Sequence, residues 1–349
     1  MNAALYEPGL GYYARGTRQV GRAGDFFTSV SVGPLFGELL ARRLLRDWLE
    51  RGEPTRWRII ECGAHDGTLA SDVLTAIREL EPRAYGGLEY VISEPLETLR
   101  SAQRETLARF GTAVRVVETL TALADELLPG IAFGNELLDA LPFHVVEFHD
   151  GRWVECRVGL GEVGGFTWVH ADIADEVLSA AIGLLGNGFP DGYRTEVRTN
   201  YRDFLAPLSD ALVEPLMIWP DYGFARSDYY HPARNSGTLR TFSKHKAAED
   251  PLLEPGAADI TAHVDFTAVA EAAVRLGGRP VVFRNQGSWL TETARDWLLA
   301  LEGAPQANLM RQFQTLVHPA HLGGSFQILE LSWNPLKPAE PGLDSRLFA

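Results

Sequence analysis

The stretch RIIECGAHDGTLASDVL, from Arg58 to Leu74, decides the fold. Residues 57–60 are mostly apolar without polar alternation, which is typical of a strand buried on both faces of a parallel sheet. A turn with two glycines, Gly63 and Gly67, follows, and residues 69–80 then carry apolar side chains at helical spacing. A glycine-bearing loop between a buried strand and a helix brings backbone N–H groups close to a ligand at the open end of the sheet.

The loop indicates which ligand is favoured. It lacks the dinucleotide fingerprint G-x-G-x-x-G, and no lysine follows Gly67 as it would in a P-loop. Glu61, directly before the turn, suits a ligand with a cationic amine better than a pyrophosphate. The combination favours S-adenosylmethionine (SAM) over NAD or ATP. For the motif taken alone, a turn that binds no ligand is the alternative.

Composition limits the class of partner. The chain has 349 residues and a net charge of −14, from 32 basic and 46 acidic residues. Because a nucleic-acid binder needs a basic field, DNA or RNA is disfavoured as the main partner. An acidic surface suits a basic segment of another protein.

The cysteines and the apolar runs indicate a compartment. Cys62 and Cys156 are far apart, with no C-x-x-C motif, so we expect neither a disulfide framework nor a zinc site. No apolar run approaches the roughly 18 residues of a membrane span. Residues 1–13 resemble neither a signal peptide nor a transit peptide. We therefore expect a cytoplasmic protein with no membrane partner.

Short apolar segments alternate with helical segments along the chain, which predicts an α/β fold with a parallel sheet. After 57–60, the predicted strands are 89–92, 114–117, 131–133, 216–219, 280–283 and 326–331. A helix beginning after Pro34 carries an apolar stripe, and we place Arg42, Arg43 and Arg46 on its solvated face.

The pattern also predicts a division of the chain. Residues 1–52 form an N-terminal arm and helix, and residues 53–142 and 214–333 form the cofactor-binding domain, with a loop insertion at 225–263. Residues 143–213 form an inserted hairpin and helical subdomain, because they alternate around the turn residues Asp150 and Gly151. Residues 334–349 are expected to be a surface tail.

Acidic residues follow the second and third predicted strands. Glu94 lies roughly thirty residues after the glycine loop, where a carboxylate can accept both ribose hydroxyls of a nucleoside. The alternative is a carboxylate at a helix N-terminus. Glu118, after the third strand, is a candidate for the edge of an adenine ring.

A second polar stretch, GNELLDALP from Gly134 to Pro142, follows the fourth strand. Asn135, Glu136 and Asp139 thus lie at the edge of the sheet where doubly wound folds bind ligands. The alternative is an acidic helix start, with Asn135 as its cap and Asp139 on the solvent face.

Two other groups of residues leave alternatives open. Phe26 and Thr28 belong either to an aromatic arm packed on the body or to a lid over a ligand. A loosely spaced set could hold a metal ion: His245, Asp259, His263 and Asp265. We predict no metal site there, because Asp265 is expected to cap a helix.

Several stretches together resemble the MidA-like family of SAM-dependent methyltransferases, which includes mitochondrial complex I assembly methyltransferases. They are ALYEPGLGYY (4–13), GDFFTS (24–29), PLFGELLA (34–41), ECGAHDGTLASDVL (61–74), YVISEPLETLRSAQ (90–103), GNELLDALPFHVVEF (134–148), DYG (221–223), GTLRTFSKH (237–245) and DITAHVDF (259–266). The resemblance implies a class I methyltransferase fold: a Rossmann-like, mostly parallel seven-stranded sheet with helices on both faces, an N-terminal helical and aromatic arm, and a small inserted subdomain.

The resemblance also implies site residues. The expected cofactor residues are Phe26, Thr28, Glu61, Gly63, His65, Gly67, Thr68, Leu69, Glu94, Pro95, Glu118 and Asn135. The expected catalytic residues are Asn135, Glu136 and Asp139, because NELLD is similar to the acidic loop that holds a guanidinium in arginine methyltransferases. We therefore predict an enzyme that methylates protein arginine with SAM. A homodimer is compatible with this interpretation.

The chain departs from the family's pattern at two places. Ala64 and His65 replace a proline and a glycine of the usual G-P-G-x-G loop, and residues 30–32 lack the family's carboxylate. These departures favour an alternative, a degenerate methyltransferase fold that acts as a non-catalytic binding or assembly partner. A dinucleotide oxidoreductase is disfavoured because G-x-G-x-x-G is absent.

Overall fold

The computed structural model describes residues 1–14, 28–162, 164–243, 246–248, 250–301 and 306–348. The strands are β1 (Trp57–Cys62), β2 (Leu88–Ser93), β3 (Val114–Val117), β4 (Leu128–Phe133), β5 (His144–His149), β6 (Arg152–Leu160), β7 (Phe166–Ala171), β8 (Tyr193–Val197), β9 (Leu212–Phe224), β10 (Arg240–Ser243), β11 (Lys246–Ala248), β12 (Asp259–Thr261), β13 (Val264–Asp265), β14 (Arg279–Asn285) and β15 (Phe326–Ser332). The α-helices are α1 (Asn2–Tyr6), α2 (Ser29–Val32), α3 (Leu35–Glu50), α4 (Thr68–Leu80), α5 (Pro82–Gly86), α6 (Glu97–Leu107), α7 (Glu176–Gly183), α8 (Tyr201–Asp210), α9 (Arg226–Tyr229), α10 (Phe266–Arg275), α11 (Gln286–Thr293), α12 (Arg295–Ala300), α13 (Ala307–Val317), α14 (Leu322–Ser325) and α15 (Leu343–Leu347). Within these residues, no helix is long and apolar enough to cross a membrane.

The central sheet has the strand order β14-β15-β9-β4-β1-β2-β3, with the two-residue β13 added beside β9. The strands β9, β4, β1, β2 and β3 pair in parallel. Strand β15 runs antiparallel to both of its neighbours, β14 and β9. The predicted mostly parallel seven-stranded α/β sheet is therefore confirmed.

Strand β1 is buried along its whole length because each face of the sheet carries helices. Ile59 packs in the core beneath α3, α4 and α11, whereas its neighbour Ile60 packs in the core beneath α8 and α10. Successive side chains of a strand point to opposite faces, so a strand covered on both sides is mostly apolar rather than alternating. This is the reason that residues 57–60 show no polar alternation.

The apolar stripe predicted for α3 is confirmed. The prediction that Arg43 lies on the solvated face of this helix is wrong. Its side chain is 7% exposed and pairs with Glu330 on β15, with Nη2 2.6 Å from Glu330 Oε2. The indole nitrogen of Trp289 donates to the same carboxylate at 2.8 Å. The sequence could not predict this ion pair because 287 residues separate its partners.

The insertion after β4 forms its own antiparallel sheet, in the order β7-β6-β5-β8. Asp150 and Gly151 turn the first hairpin with φ angles of 48° and 76°, as their composition predicted. Helix α8, which we assigned to this subdomain, instead buries Leu205 and Leu208 in a core of the central sheet. The domain limits remain predictions.

Two segments are more ordered than the sequence indicated. Residues 225–263, expected to be irregular, contain helix α9 and a small sheet in the order β11-β10-β12. The expected surface tail ends in α15, whose Leu343 and Leu347 are buried against the central domain. Two apolar side chains spaced four residues apart on one helical turn account for this docking.

The N-terminal arm packs through its aromatic side chains. The rings of Tyr6 and Tyr13 stack at 5.6 Å, and the Tyr13 hydroxyl donates to Asp259 Oδ2 at 2.9 Å. The Tyr6 hydroxyl donates to the carbonyl of Ala140 at 3.3 Å. The arm therefore lies beside the acidic stretch that follows β4.

Candidate functional site

The glycine loop between β1 and α4 adopts left-handed backbone conformations at three positions. Gly63, His65 and Gly67 have φ angles of 68°, 46° and 85°. The amide of Gln103 fixes the loop by donating from Nε2 to the carbonyl of His65 at 2.9 Å. A histidine is thus accommodated where a glycine would be expected, and the loop keeps its tight turn.

The His65 side chain is 32% exposed, and its Nδ1 lies 3.7 Å from Asp66 Oδ1. A hydrogen bond from His65 and donors from Thr68 lower the pKa of Asp66 to about 2. The backbone nitrogen of Thr68 donates to Asp66 Oδ1 at 3.0 Å. Asp66 thus stabilises the first turn of α4, where Leu69 is buried.

Glu61 lies below the loop rather than on its surface. Its side chain is 2% exposed, and Oε2 accepts a hydrogen bond from the Tyr90 hydroxyl at 2.6 Å. Burial raises the pKa of Glu61 to about 7. A cationic group at the loop would favour the ionised form.

Glu94 directly follows β2, and Cys62 pairs with Ser93, so the ends of β1 and β2 lie side by side. The Glu94 carboxylate is buried, Oε1 accepts from the backbone nitrogen of Leu96 at 2.9 Å, and burial raises its pKa. Pro95 is exposed. Glu118 is 70% exposed and lies 3.6 Å from the Arg100 guanidinium.

The stretch after β4 places a carboxylate in an unusual backbone conformation. Glu136 has a φ of 53°, and its nitrogen donates to the carbonyl of Pro220 at 3.0 Å. Its Oε1 accepts from Asn135 Nδ2 at 2.9 Å and from the backbone nitrogen of Ser29 at 3.3 Å. Burial raises the pKa of Glu136 to about 8. The carboxyl is therefore largely protonated at neutral pH while no cation is nearby.

Asn135 Oδ1 is buried and has no hydrogen-bond partner among the described residues. Buried amide oxygens are nearly always paired, so this atom indicates a place for a ligand donor or a water molecule.

Asp221 on β9 lies close to Asp139 in the stretch after β4. Asp221 Oδ2 accepts from the backbone nitrogens of Leu137, Leu138 and Asp139 at 3.0, 2.7 and 3.2 Å. Burial raises the pKa of Asp139 to about 6, and the nearby Arg198 opposes that shift. Burial also raises the pKa of Asp221, whereas its backbone donors favour the charged form.

Leu137 joins the two loops. A Cβ atom on Gly63 would lie 2.8 Å from Leu137 Cδ1, and one on Gly134 would lie 2.8 Å from Leu137 Cδ2. Only glycine allows this close approach. The glycine loop after β1 and the acidic stretch after β4 are therefore in direct contact, as their places at one sheet edge predicted.

Two residues of the N-terminal region were expected to cover a ligand. Phe26 lies outside the described residues. Thr28 caps α2: its Oγ1 accepts from the nitrogen of Ser31 at 3.2 Å, and Ser31 Oγ accepts from the nitrogen of Thr28 at 3.0 Å. This cap aims the nitrogen of Ser29 at Glu136, so Thr28 positions the acidic stretch through its neighbour.

No role in the site was predicted for Asp221, Arg198 or Tyr222. Arg198 is buried and donates to the carbonyls of Asp139, Leu141, Ala262 and His263. Asp221 had a signal, because it lies near the C-terminal end of a parallel strand. Arg198 had no signal in the sequence, because the carbonyls that it binds lie 57 to 65 residues away along the chain.

The residues considered for a metal site have other roles. Asp265 Oδ1 accepts from the nitrogen of Ala268 at 3.0 Å, which confirms the predicted helix cap. Asp259 accepts from Tyr13, and His263 lies beside Tyr222. His245 lies outside the described residues.

Comparisons with known proteins agree with this geometry. A family model described as "Putative S-adenosyl-L-methionine-dependent methyltransferase" matches residues 39–282. The chain is 30% identical to the Protein arginine methyltransferase NDUFAF7 homolog, mitochondrial, of Drosophila melanogaster, over 95% of this chain and 80% of the fly protein. It is 27% identical to the Danio rerio Protein arginine methyltransferase NDUFAF7, mitochondrial, over 95% of this chain and 82% of that protein.

A solved structure shows the same fold with a ligand. The chain is similar to a Burkholderia thailandensis protein bound to S-adenosyl-homocysteine, with a TM-score of 0.81, 31% identity, and coverage of 95% of this chain and 86% of that chain. A native crystal structure of a COG1565 superfamily protein from Burkholderia thailandensis gives a TM-score of 0.82 at 32% identity, with coverage of 95% of this chain and 85% of that chain.

The relatives contradict one expectation. We expected a cytoplasmic protein, but the fly and zebrafish relatives are both named as mitochondrial. The expectation was wrong because unpaired cysteines indicate a reducing compartment without saying which one.

Proposed function

The chain belongs to the family of S-adenosyl-L-methionine-dependent methyltransferases, and on this premise we propose that it methylates an arginine side chain of a protein. The observation that carries the proposal is the acidic stretch after β4, which bears Glu136 and Asp139 and contacts Gly63 of the glycine loop through Leu137. Relatives named protein arginine methyltransferase support it.

The described residues fit the cofactor. The left-handed glycine loop lets a ligand approach the backbone, and Asn135 Oδ1, buried without a partner among the described residues, offers an acceptor. We assign the ribose to Glu94 and the adenine edge to Glu118, because they follow β2 and β3. Burial raises the pKa of Glu61, and the cationic amino group of SAM would favour its ionised form. SAM supplies the methyl group on a positively charged sulfur.

The residues after β4 would hold the acceptor. A guanidinium is a poor nucleophile while its charge is fully delocalised, and carboxylates that bind its N–H groups localise that charge. Glu136 and Asp139 are the candidates. Alignment of the acceptor with the methyl group contributes up to roughly 7–11 kcal/mol, and this is mainly what the protein adds.

The raised pKa of Glu136 has a chemical use. Transfer of a methyl group to a guanidinium nitrogen requires that nitrogen to lose one proton. With no cation nearby, burial raises the pKa of this carboxyl to about 8; a bound guanidinium favours the ionised form, and that form can accept a proton. We therefore propose that Glu136 both orients the guanidinium and receives this proton.

The substrate we propose is a protein with a basic segment around the arginine. The net charge of −14 supports this, because it attracts a cationic chain. A homodimer remains a proposal without a contact to support it.

A labelled transfer experiment tests the proposed function. The protein is incubated with SAM carrying a trideuterated methyl group and with glycine-rich peptides that contain either arginine or lysine. Mass spectrometry is expected to find the label on arginine alone. Label on lysine, or on neither peptide, would count against arginine as the acceptor.

A non-catalytic binding partner is the second candidate. The observation that favours it is His65, a non-glycine residue with a φ of 46° in the loop that would face the cofactor. Calorimetry with S-adenosyl-homocysteine separates the two candidates, because a pocket blocked by the imidazole would bind nothing.

A further inference from the structure

Helix α6 turns two polar side chains inwards. Its buried residues are Arg100, Gln103 and Leu107, whereas Leu99 on the same helix is only half-buried. Gln103 is 0% exposed. Burying an amide costs free energy unless it is hydrogen-bonded, so an apolar side chain would serve better if packing were all that was needed. The hydrogen bonds of Gln103 and Arg100 therefore account for their positions.

Gln103 joins the two loops that we assign to the cofactor. Its Nε2 donates to the carbonyl of His65 at 2.9 Å, which fixes the orientation of the amide and leaves one N–H for a second acceptor. The Glu94 carboxylate is the acceptor in reach: burial raises the pKa of Glu94, and hydrogen bonding from the Gln103 side chain opposes that shift. Oε1 of Gln103 is buried without a partner among the described residues. The amide is thus held for its two N–H donors.

The backbone of α6 is fixed against the same glycine loop. A Cβ atom on Gly67 would lie 3.6 Å from Gln103 Cα, so the helix and the loop are in direct contact. One turn earlier in α6, Arg100 Nη1 donates to the carbonyls of Glu94 and Pro95 at 2.9 and 2.7 Å. A single face of the helix therefore holds the glycine loop, the backbone of Glu94 and the Glu94 carboxylate.

An amide suits this place better than a charged group. Ribose hydroxyls bind an ionised carboxylate more strongly than a neutral one, but burial raises the pKa of Glu94. A neutral N–H donor favours the ionised form and keeps the negative charge for the ligand. A lysine or arginine at this position would form an ion pair with Glu94 and compete with the hydroxyls, and a second carboxylate would repel it.

We propose that Gln103 is a positioning residue for the cofactor, which holds the His65 carbonyl and the Glu94 carboxylate in one arrangement. The loop after β1 takes the methionine end of SAM and Glu94 takes the ribose, so Gln103 sets one end of the site relative to the other. Arg100 fixes the backbone that carries Glu94. The proposal rests on the ribose assignment within the proposed function and is independent of the methyl acceptor.

The first test is calorimetry with S-adenosyl-homocysteine and Gln103→Met, a substitution that keeps the side-chain length and removes both N–H donors. We expect the affinity to fall about tenfold, or 1.4 kcal/mol. In a Glu94→Ala background the same substitution should cost less than about threefold, because its second acceptor is gone. Gln314→Met, at an exposed position of α13, is the matched control and should change nothing. Thermal unfolding without ligand shows that each variant is folded.

A pH profile separates this role from simple packing. The probe is 5′-methylthioadenosine, which has the ribose but no amino-acid group. Its affinity should rise as the pH increases through the pKa of Glu94, and in Gln103→Met that rise should move to higher pH because a donor to the ionised form is lost. Gln103→Glu should show the opposite trend, with affinity falling as its own carboxyl ionises beside Glu94.

The other charged and titratable groups around Glu94 do not differ between the variants. They are Arg100 on α6, His65 in the glycine loop, Tyr6 of the N-terminal arm, Cys62 at the end of β1 and Glu118 after β3. A difference between the wild-type and Gln103→Met profiles therefore reports the ionisation of Glu94.

Any of three results would overturn the proposal. They are unchanged affinity in Gln103→Met, an equal loss from this substitution with and without Glu94, and a pH profile that does not move. Loss of affinity in Glu94→Ala alone would then leave the ribose assignment intact. No measurement uses a methyl acceptor, so a failure of arginine methylation would not be mistaken for a failure of this positioning role.

Discussion

Asp221 Oδ2 lies 2.7 Å from the backbone nitrogen of Leu138, which is 83 residues earlier in the chain. The same oxygen accepts from the nitrogens of Leu137 and Asp139. One buried carboxylate on β9 therefore fixes the backbone of the acidic stretch after β4. The side chains that we propose for the acceptor depend on this anchor for their positions.

Asp221→Asn should loosen that stretch. The amide has a single oxygen, whereas both carboxylate oxygens accept backbone donors, so at least one N–H loses its partner. We expect a loss of about 1–3 kcal/mol in the free energy of unfolding. Thermal unfolding measures it, with the exposed Asp203→Asn as the control. Equal stability of the two variants would contradict the anchor.

Glu94→Ala should weaken cofactor binding. Removing a charged hydrogen-bond acceptor should cost about 1.5–3 kcal/mol of binding free energy for S-adenosyl-homocysteine. Calorimetry measures the change, and Glu105→Ala, at an exposed position of α6, is the control. Unchanged affinity in Glu94→Ala would remove this residue from the ribose site.

The pH dependence of turnover should report on Glu136. Burial raises its pKa to about 8, so the carboxyl is protonated below that pH and ionised above it. Only the ionised form attracts a guanidinium. We therefore expect kcat/KM for an arginine peptide to rise as the pH increases through about 8. Initial rates measured from about pH 6.5 to 9.5 test this. A flat wild-type profile would show that Glu136 does not control binding.

His65→Gly should change cofactor affinity little. The His65 ring is paired with Asp66, and the loop already has its left-handed backbone. We expect the wild type to bind S-adenosyl-homocysteine in the micromolar range, about −8 kcal/mol, and the variant to gain no more than about tenfold. Binding that appears only in the variant would show that the imidazole blocks the pocket.

Glu330→Gln should destabilise the protein strongly. It leaves the buried Arg43 without a partner charge, which costs about 3–5 kcal/mol. Burial alone would raise the pKa of Glu330, but Arg43 and Trp289 lower it overall. The stabilisation is therefore present above the ordinary glutamate pKa of roughly 4.3 and is lost as the pH falls through the lowered value.

Thermal unfolding at several pH values tests the Arg43–Glu330 prediction. Glu38→Gln, which removes the partially exposed pair with Arg42, is the matched control and should cost less than about 1 kcal/mol. Similar losses in the two variants would mean that burial of the Arg43–Glu330 pair has no special effect.

The sequence predicts those features of the site that depend only on local residue pattern and on where the strands end. The glycine loop, the edge position of Glu94 and the stretch from Asn135 to Asp139 follow from where parallel strands end. The pairing of the strands brings these segments together, independently of the contacts that their side chains make. Their positions could therefore be predicted from one sequence.

The rest depends on contacts between distant segments. Asp221 and Arg198 reach the site from β9 and from the end of the inserted subdomain. Asp221 has a signal in its place near the end of a strand, whereas nothing in the immediate neighbours of Arg198 distinguishes it from a surface residue. Thr28 was expected to cover a ligand, but its hydroxyl caps a four-residue helix. A short capped turn and a lid have similar compositions.

The most direct test of the account is methyl transfer by wild type and Glu136→Gln in parallel. Both proteins receive trideuteromethyl SAM and an arginine peptide, and mass spectrometry reads the peptide while calorimetry gives each protein's affinity for S-adenosyl-homocysteine. The account predicts labelled methylarginine from the wild type, none from Glu136→Gln, and similar affinities for both. Tight cofactor binding without labelled arginine in the wild type, or full transfer by Glu136→Gln, would contradict it.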